Sequence, residues 1–478
     1  MNTTTYKRFS PLKCLAIAAL SSSILACGGG SSSSSSTGEM PSTEAQGRLA
    51  VMMTDATADG YSEVWVTFTS ATLIGGTSAS GEAVGDVEVF SGTKTINLLS
   101  LANTSEIFLH GNRIASGTFS KLRLQVSDIQ LIQKDAEGMV IESVSPNVVA
   151  NGKLDLLAQS GINVQENQTT FLSLDFDAEK SIHTSNSGSI NFRPVVFVEA
   201  VSTTVVNTKP IQVTGTLQSE VDAQGNPVIC EGNDNTLSAA ICFSIHVDSQ
   251  TQIFDSSGES ATDAELISGT ELTLFGSLAS TTHIEGETDS FIALSTDFIQ
   301  VGHHDSTFTA YGTVQSGIDL GVLTGLQLSV DVSSGLSATG DVSLAIAAEA
   351  TVYAQDHQQS DVSALNEGDE IQIFGIVTSD QALVITAVFI ENQDTTALEG
   401  SINTIDDQSS TFDLATAEGD VCVTTSSSTL IQQSSSIDGS LVLADALFAD
   451  LSVDQTVELE SEQQVDGCFQ ATSIVIWE

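Results

Sequence analysis

The sequence predicts an all-β protein, an N-terminal β-sandwich followed by three small OB-like β-barrel repeats. Three observations carry that reading. Apolar and polar residues alternate with a period of two in many short runs, as half-buried strands require; Val64, Val66 and Phe68, interleaved with Glu63, Trp65 and Thr67, form one such run. Aromatics make up only 5% of the chain while Gly, Ser, Thr and Val abound, which suits many short strands. The second half also repeats itself, with a period of roughly 90 residues. At 478 residues the chain exceeds one hydrophobic core, so roughly three to five domains are expected.

Taken in order, the chain opens with a positive segment, Lys7, Arg8 and Lys13, then an apolar run over residues 14–20 and Ser21-Ser22-Ser23-Ile24-Leu25-Ala26-Cys27. This is the shape of a secretory signal, too short to span a bilayer. Leu25-Ala26-Cys27 resembles the lipobox of bacterial lipoproteins. The resemblance implies a signal peptide at 1–26, cleavage before Cys27, and lipid on its thiol and new amine. In that family Asp after the Cys retains the protein at the inner membrane. Gly28 stands here instead, which implies the outer membrane and leaves open whether the protein faces the cell surface or the periplasm. Residues 27–46 are rich in Gly and Ser and read as a flexible tether with a reach of roughly 20–25 Å.

Residues 47–204 read as the sandwich. Beside the run at Glu63, strands are expected at Asp86-Val87-Glu88-Val89-Phe90 and Lys121-Leu122-Arg123-Leu124-Gln125-Val126, with one helical turn near residues 95–101. Leu172, Leu174 and Phe176 should face the core, with Ser173, Asp175 and Asp177 opposite. Pro194 suits a strand end. Roughly seven or eight strands over this length suggest a sandwich. The stretches Arg48-Leu49-Ala50-Val51-Met52-Met53-Thr54-Asp55, Gly117-Thr118-Phe119-Ser120-Lys121-Leu122, Leu174-Asp175-Phe176-Asp177-Ala178-Glu179-Lys180-Ser181 and Asn191-Phe192-Arg193-Pro194-Val195-Val196 together resemble domain of unknown function 4382. That family occurs in bacterial lipoproteins and implies no activity.

The repeats fall at 211–302, 306–393 and 396–478. Their opening strands are Val213-Thr214-Gly215-Thr216-Leu217, Ala310-Tyr311-Gly312-Thr313-Val314 and Leu398-Glu399-Gly400-Ser401-Ile402. Gly269-Thr270-Glu271-Leu272-Thr273-Leu274-Phe275-Gly276 matches Gly368-Asp369-Glu370-Ile371-Gln372-Ile373-Phe374-Gly375, and the third copy is degenerate there. Glycine in mid-strand marks a sharp bend of the kind barrel corners need. Five bent strands per unit suggest an OB-like barrel. The units resemble domain of unknown function 5666, also without an assigned activity. Three in line would make a rod or curved stalk.

Charge is distributed unevenly. Beyond the signal segment ten Lys and Arg remain, all between Arg48 and Lys209, and residues 211–478 hold none against 42 Asp and Glu. The repeats cannot form internal Lys or Arg ion pairs, and nucleic acid is disfavoured as a partner. Of six Cys, Cys14 leaves with the signal and Cys27 takes lipid. The other four allow three pairings. Cys230 with Cys242 and Cys422 with Cys468 are favoured, since each pair stays within one repeat.

Candidate sites are sparse. Asp175 and Asp177 share a strand face with Glu179 next in step, and could hold a hard cation such as calcium. A solvated face beside Lys180 is the simpler reading. Asp55 and Asp59 could do likewise, or serve only as turn residues. His303-His304 lies in the junction between the first two repeats and reads as exposed linker. The nucleophile-elbow, zinc-helix and P-loop motifs are absent. The expectation is therefore a lipid-anchored, non-enzymatic binding or scaffold protein of the envelope, with a protein or glycan ligand, no nucleic acid, and no cofactor unless calcium. A periplasm-facing accessory subunit is the alternative, followed by a carbohydrate-active hydrolase.

Overall fold

The computed structural model describes residues 46–55, 61–78, 80–135, 139–158, 161–184, 189–201, 209–222, 224–231, 241–279, 291–303, 306–315, 326–334, 340–355, 357–380, 382–391, 395–417, 419–437, 440–463 and 467–477. Cys27, Asp59 and His304 lie outside them.

The first module is a sandwich. One sheet has the order Val195–Val201, Thr169–Asp177, Gln46–Asp55, Glu106–Ala115. The facing sheet contains Lys153–Leu157, Lys121–Lys134, Glu63–Ile74 and Val87–Asn97. Leu49, Val51, Met53, Leu172, Leu174 and Phe176 from the first pack on Val64, Val66, Phe68, Leu122 and Leu124 from the second. Phe68 meets Phe108 and Phe176 edge-on, with centroids at 5.0 and 6.0 Å. The short turn expected near residues 95–101 is a 3-10 turn at Leu98–Leu101.

Strand Gln46–Asp55 explains its own sequence. Leu49-Ala50-Val51-Met52-Met53 is apolar without alternation because both of its faces are covered. Leu49, Val51 and Met53 enter the sandwich core, while Ala50 and Met52 join Ile107 and Phe171 against the core of the first barrel.

Each repeat is a five-stranded ring. Strand one pairs with two and four, two with three, four with five, and three with five in parallel, which closes the barrel. In the first repeat these strands are Ile211–Val221, Pro227–Glu231, Cys242–His246, Glu271–Leu278 and Ile292–Val301. In the second they are Thr307–Val314, Leu326–Ser334, Gly340–Tyr353, Glu370–Val377 and Leu383–Ile390. In the third they are Thr395–Asp406, Thr411–Thr416, Gly419–Thr424, Thr456–Gln463 and Cys468–Trp477. A 3-10 turn precedes strand four in each, at Asp263–Glu265, Val362–Ala364 and Phe448–Asp450.

The mid-strand glycines are explained by close approach. A Cβ on Gly215, Gly312 or Gly400 would stand 2.2, 2.1 or 2.2 Å from a carbonyl oxygen of strand two. The degenerate third copy keeps the same geometry with different residues. Gly269 and Gly368 have φ of 90° and 92°, and Asp454 takes their place at 68°. All three donate their N–H to the matching carbonyl of strand one, on Leu217, Val314 and Ile402. A register shift follows Phe275, Phe374 and Glu460 alike.

The barrels are not strung in line away from the sandwich, as a stalk would require. The first covers Ala50 and Met52. The second packs on the first through Phe275, whose ring lies 5.3 Å from Phe374 and 5.2 Å from Phe389. It reaches the sandwich where Tyr311 donates to the Leu99 carbonyl at 2.8 Å. The third carries an extra hairpin, Leu430–Ile437 and Ser440–Asp445, and residues 441–444 of it pair in parallel with residues 154–157 of the sandwich. Residues 44–478 accordingly form one compact unit. The reason is apolar area: faces left over on each module are covered by the next.

Both disulfides join facing residues. Cys230 and Cys242 link strands two and three of the first barrel, 12 residues apart. Cys422 and Cys468 link strands three and five of the third, 46 residues apart. Loop-closure entropy then assigns about 3 kcal/mol to the first bond and about 4 kcal/mol to the second. In urea melts, Cys422→Ser with Cys468→Ser should therefore lose more stability than Cys230→Ser with Cys242→Ser.

Candidate functional site

The three carboxylates singled out in the sequence come together. Asp55 ends its strand opposite Phe176 of the parallel neighbour, so Asp175 and Asp177 flank it on either side. After Asp177 the chain turns through the short helix Ala178–Ser181. Asp177 caps that turn: its Oδ1 accepts from the backbone N–H of Lys180 at 2.8 Å. Ser181 donates to the Asp177 carbonyl at 2.5 Å and accepts from the Val195 N–H at 2.9 Å, tying the turn to the next strand.

Two lysines answer this acidity. Lys180 Nζ lies 2.5 Å from Asp177 Oδ2 and 2.8 Å from Glu460 Oε1 of the third barrel. Burial alone would lower the Lys180 pKa, but Asp177 and Glu460 outweigh it and hold the ammonium above its usual value. Lys209 Nζ donates to the Asp55 carbonyl at 2.5 Å. On the second barrel, Glu391 Oε1 accepts from Asn103 Nδ2 at 3.0 Å.

Two acceptors are left over. Asp55 Oδ1 accepts from the Ala178 N–H at 3.0 Å, while Asp55 Oδ2 and Asp175 Oδ1 are buried with no hydrogen-bond partner among the described residues. Asp55 is fully buried, and burial followed by the nearby Asp177 charge pushes its pKa well up. Burial raises Asp175 to about 6, against the pull of Lys209. Asp175 also lines a cavity of about 440 Å³ with Ser173, Thr54, Lys209, His357 and Asp445, drawn from the sandwich and two barrels.

Among the described residues no group of three or more His, Cys, Asp or Glu side chains is arranged to hold a metal ion. Of Asp55, Asp175 and Asp177, Asp177 is paired with an ammonium, that of Lys180. The side chain of Glu179, next in step on the sequence, lies outside the described residues, as does Asp59. His303 is 70% exposed, with Nδ1 3.2 Å from Glu271 Oε2. Sequence reasoning passed over Glu460, Lys209 and Glu391 as site members. Lys209 alone carried a signal, as the last base before 42 acids.

Geometry and topology define the class: a chain of closed β-barrels docked on a β-sandwich, with a buried ionic junction between modules. Residues 46–194 match the family model described as "Domain of unknown function (DUF4382)". No curated protein matches the chain. Among solved structures, the chain aligns with a multidomain protein with nucleic acid binding domains from Streptococcus pneumoniae TIGR4. The identity is 11%, over 55% of this chain and 72% of that chain, with a TM-score of 0.12, a likeness that carries no argument.

The raised carboxyls set a pH dependence of a definite sign. A carboxyl whose folded pKa exceeds its unfolded value binds its proton more tightly when folded. Its contribution is present below the ordinary carboxylate pKa and is lost as pH rises through the folded value. Asp175 and Asp297 sit at about 6, Glu231 and Glu458 at about 7, all chiefly through burial. Urea midpoints should therefore fall between pH 5.5 and pH 8. Asp175→Asn should flatten that slope, by about 1 kcal/mol across the interval.

Proposed function

We propose that this protein is a lipid-anchored cell-envelope lipoprotein of the outer membrane that binds a protein or glycan ligand and catalyses no reaction. The carrying observation is the stretch Leu25-Ala26-Cys27-Gly28 followed by a Gly/Ser tether, which would place acyl chains on Cys27 and leave the β-modules outside the bilayer. A modular architecture with cavities between its modules supports a binding role, since ligand sites favour domain interfaces. No described helix is long and apolar enough to cross a membrane, a statement that leaves β-barrel spanning aside. A periplasm-facing accessory subunit is the second reading, favoured by the acidic exterior that the repeats would present to a basic partner.

Anchoring is tested by growth with radiolabelled palmitate. The native chain should be labelled and sediment with membranes, whereas Cys27→Ser should lose label and appear in the soluble fraction. An unlabelled native chain would remove the proposal. A broad-specificity protease on intact cells then separates surface from periplasm; trypsin is unsuited, because nothing beyond Lys209 offers it a cleavage site.

Calcium is tested separately. Since Asp177 is already paired with Lys180 and no described group of three or more His, Cys, Asp or Glu is arranged to hold a metal ion, melting temperatures in millimolar calcium and in chelator should agree at pH 7.5. A rise with calcium would mean that a cation binds the folded state.

A further inference from the structure

A cavity of about 510 Å³ lies where the sandwich, the first barrel and the second barrel meet. It is separate from the Asp175 cavity and within the range of small-molecule sites, roughly 300–1,000 Å³. Its walls come from the outward faces of strands whose other faces are core. Gln212 and Thr214 flank buried Val213 on the first barrel, and Thr309 and Tyr311 flank buried Ala310 on the second. The sandwich contributes Trp65.

The chemistry of the wall excludes most ligand classes. No Lys or Arg lines it, so phosphates, nucleotides and other anions meet no counter-charge. Its three carboxylates are not equivalent. Glu63 is paired with Lys134 and accepts from Trp65 Nε1 at 2.7 Å, and Glu106 is paired with Lys94 at 2.6 Å. The Glu231 side chain has no hydrogen bond or ion pair among the described residues, while its backbone N–H donates to the Ile241 carbonyl at 3.0 Å. Burial raises the Glu231 carboxyl to about 7, against the pull of Lys94. Hydroxyl and amide groups crowd the remaining surface, with Thr214 and Thr273 hydroxyls 3.1 Å apart, which makes it a poor seat for an alkyl chain. What remains is a surface that combines the aromatic side chains of Trp65 and Tyr311 with closely spaced hydrogen-bonding groups and one acceptor in reserve.

A pyranose presents the matching pattern, an apolar C–H face and a rim of hydroxyls that both donate and accept. We propose that this cavity binds a neutral mono- or disaccharide, stacked on Trp65 and Tyr311 and hydrogen-bonded by Thr214, Gln212 and Glu231. The proposal rests on the binding-protein reading above and names its ligand class. It is independent of the anchor, so palmitate labelling and sugar binding can fail separately.

The chain has two tryptophans, Trp65 and Trp477, which makes fluorescence a direct probe. Trp477→Phe leaves Trp65 as the sole indole reporter. The full chain, solubilised in a detergent without a sugar headgroup, is titrated with glucose, galactose, N-acetylglucosamine and cellobiose, with glucuronate and choline as charged controls. At least one neutral sugar should change Trp65 emission, with a Kd below about 1 mM. Calorimetry on the native chain should give the same Kd. Trp65→Ala should weaken it at least tenfold by calorimetry. Thr214→Val, which keeps the side-chain shape but leaves the buried Thr273 hydroxyl without this partner, should weaken it about five- to tenfold and lower the melting temperature by only a few degrees. No response to any neutral sugar, tight binding of glucuronate or choline in its place, or binding indifferent to both variants would overturn the proposal.

Discussion

Strand Gln46–Asp55 has no face turned to water, and the rest of the molecule is arranged around that constraint. Its odd residues, Leu49, Val51 and Met53, need the facing sheet of the sandwich, and its even residues, Ala50 and Met52, need a second partner. The first barrel is that partner. Because the strand ends in Asp55, covering its apolar length also carries a carboxylate into the interior, beside Asp175 and Asp177. The junction chemistry follows from the packing. A buried carboxylate must take a proton or a counter-charge, and the turn after Asp177 delivers Lys180 to supply one.

The uneven charge of the chain acquires a structural meaning at these contacts. The barrels contain no Lys or Arg of their own, and the sandwich supplies such cations across module boundaries. Lys180 reaches Glu460. The Arg193 guanidinium lies 4.0 Å from the Trp477 ring centroid, and its Nη2 donates to Ser434 at 3.3 Å. At Glu231 the pull of Lys94 does not offset burial, and at Asp297 the Asp248 charge adds to it, so these carboxyls rise to about 7 and about 6. The Lys180–Glu460 pair joins the sandwich to the third barrel, while the pairs of Lys94, Lys121, Arg123 and Lys134 stay within the sandwich.

Docking also creates the cavities. Strand one of each barrel is core on one side and polar on the other, as alternation demands. When two such barrels and the sandwich meet, their polar faces cannot close as tightly as apolar ones, and hydroxyls, amides and unpaired carboxyls are left lining a shared space. The aromatic seam around Phe275, Phe374 and Phe389 holds the two barrels together beside that space, and this fixes the cavity walls without filling them.

Local pattern by itself determined the strands and the module types, and it favoured the two disulfide pairs without excluding the other pairings. The alternation at Val64, Val66 and Phe68 is a property of consecutive residues, and the mid-strand glycines mark close approach by a neighbouring strand within the same repeat. Cys230 and Cys242, or Cys422 and Cys468, belong to single closed units. Asp175 and Asp177 were legible as neighbours on one strand, but Asp55 was not legible as theirs, because parallel pairing of residues more than a hundred apart leaves no trace in spacing. Only the tertiary structure brought Glu460 to Lys180, 280 residues away in sequence, and Trp65 to the same cavity as Thr214 and Tyr311. The uninterrupted apolar run at Leu49-Ala50-Val51-Met52-Met53 announced that two partners were needed. Which surfaces would meet it was decided by the fit of whole modules, since burial is non-directional and rewards any apolar face of the right shape.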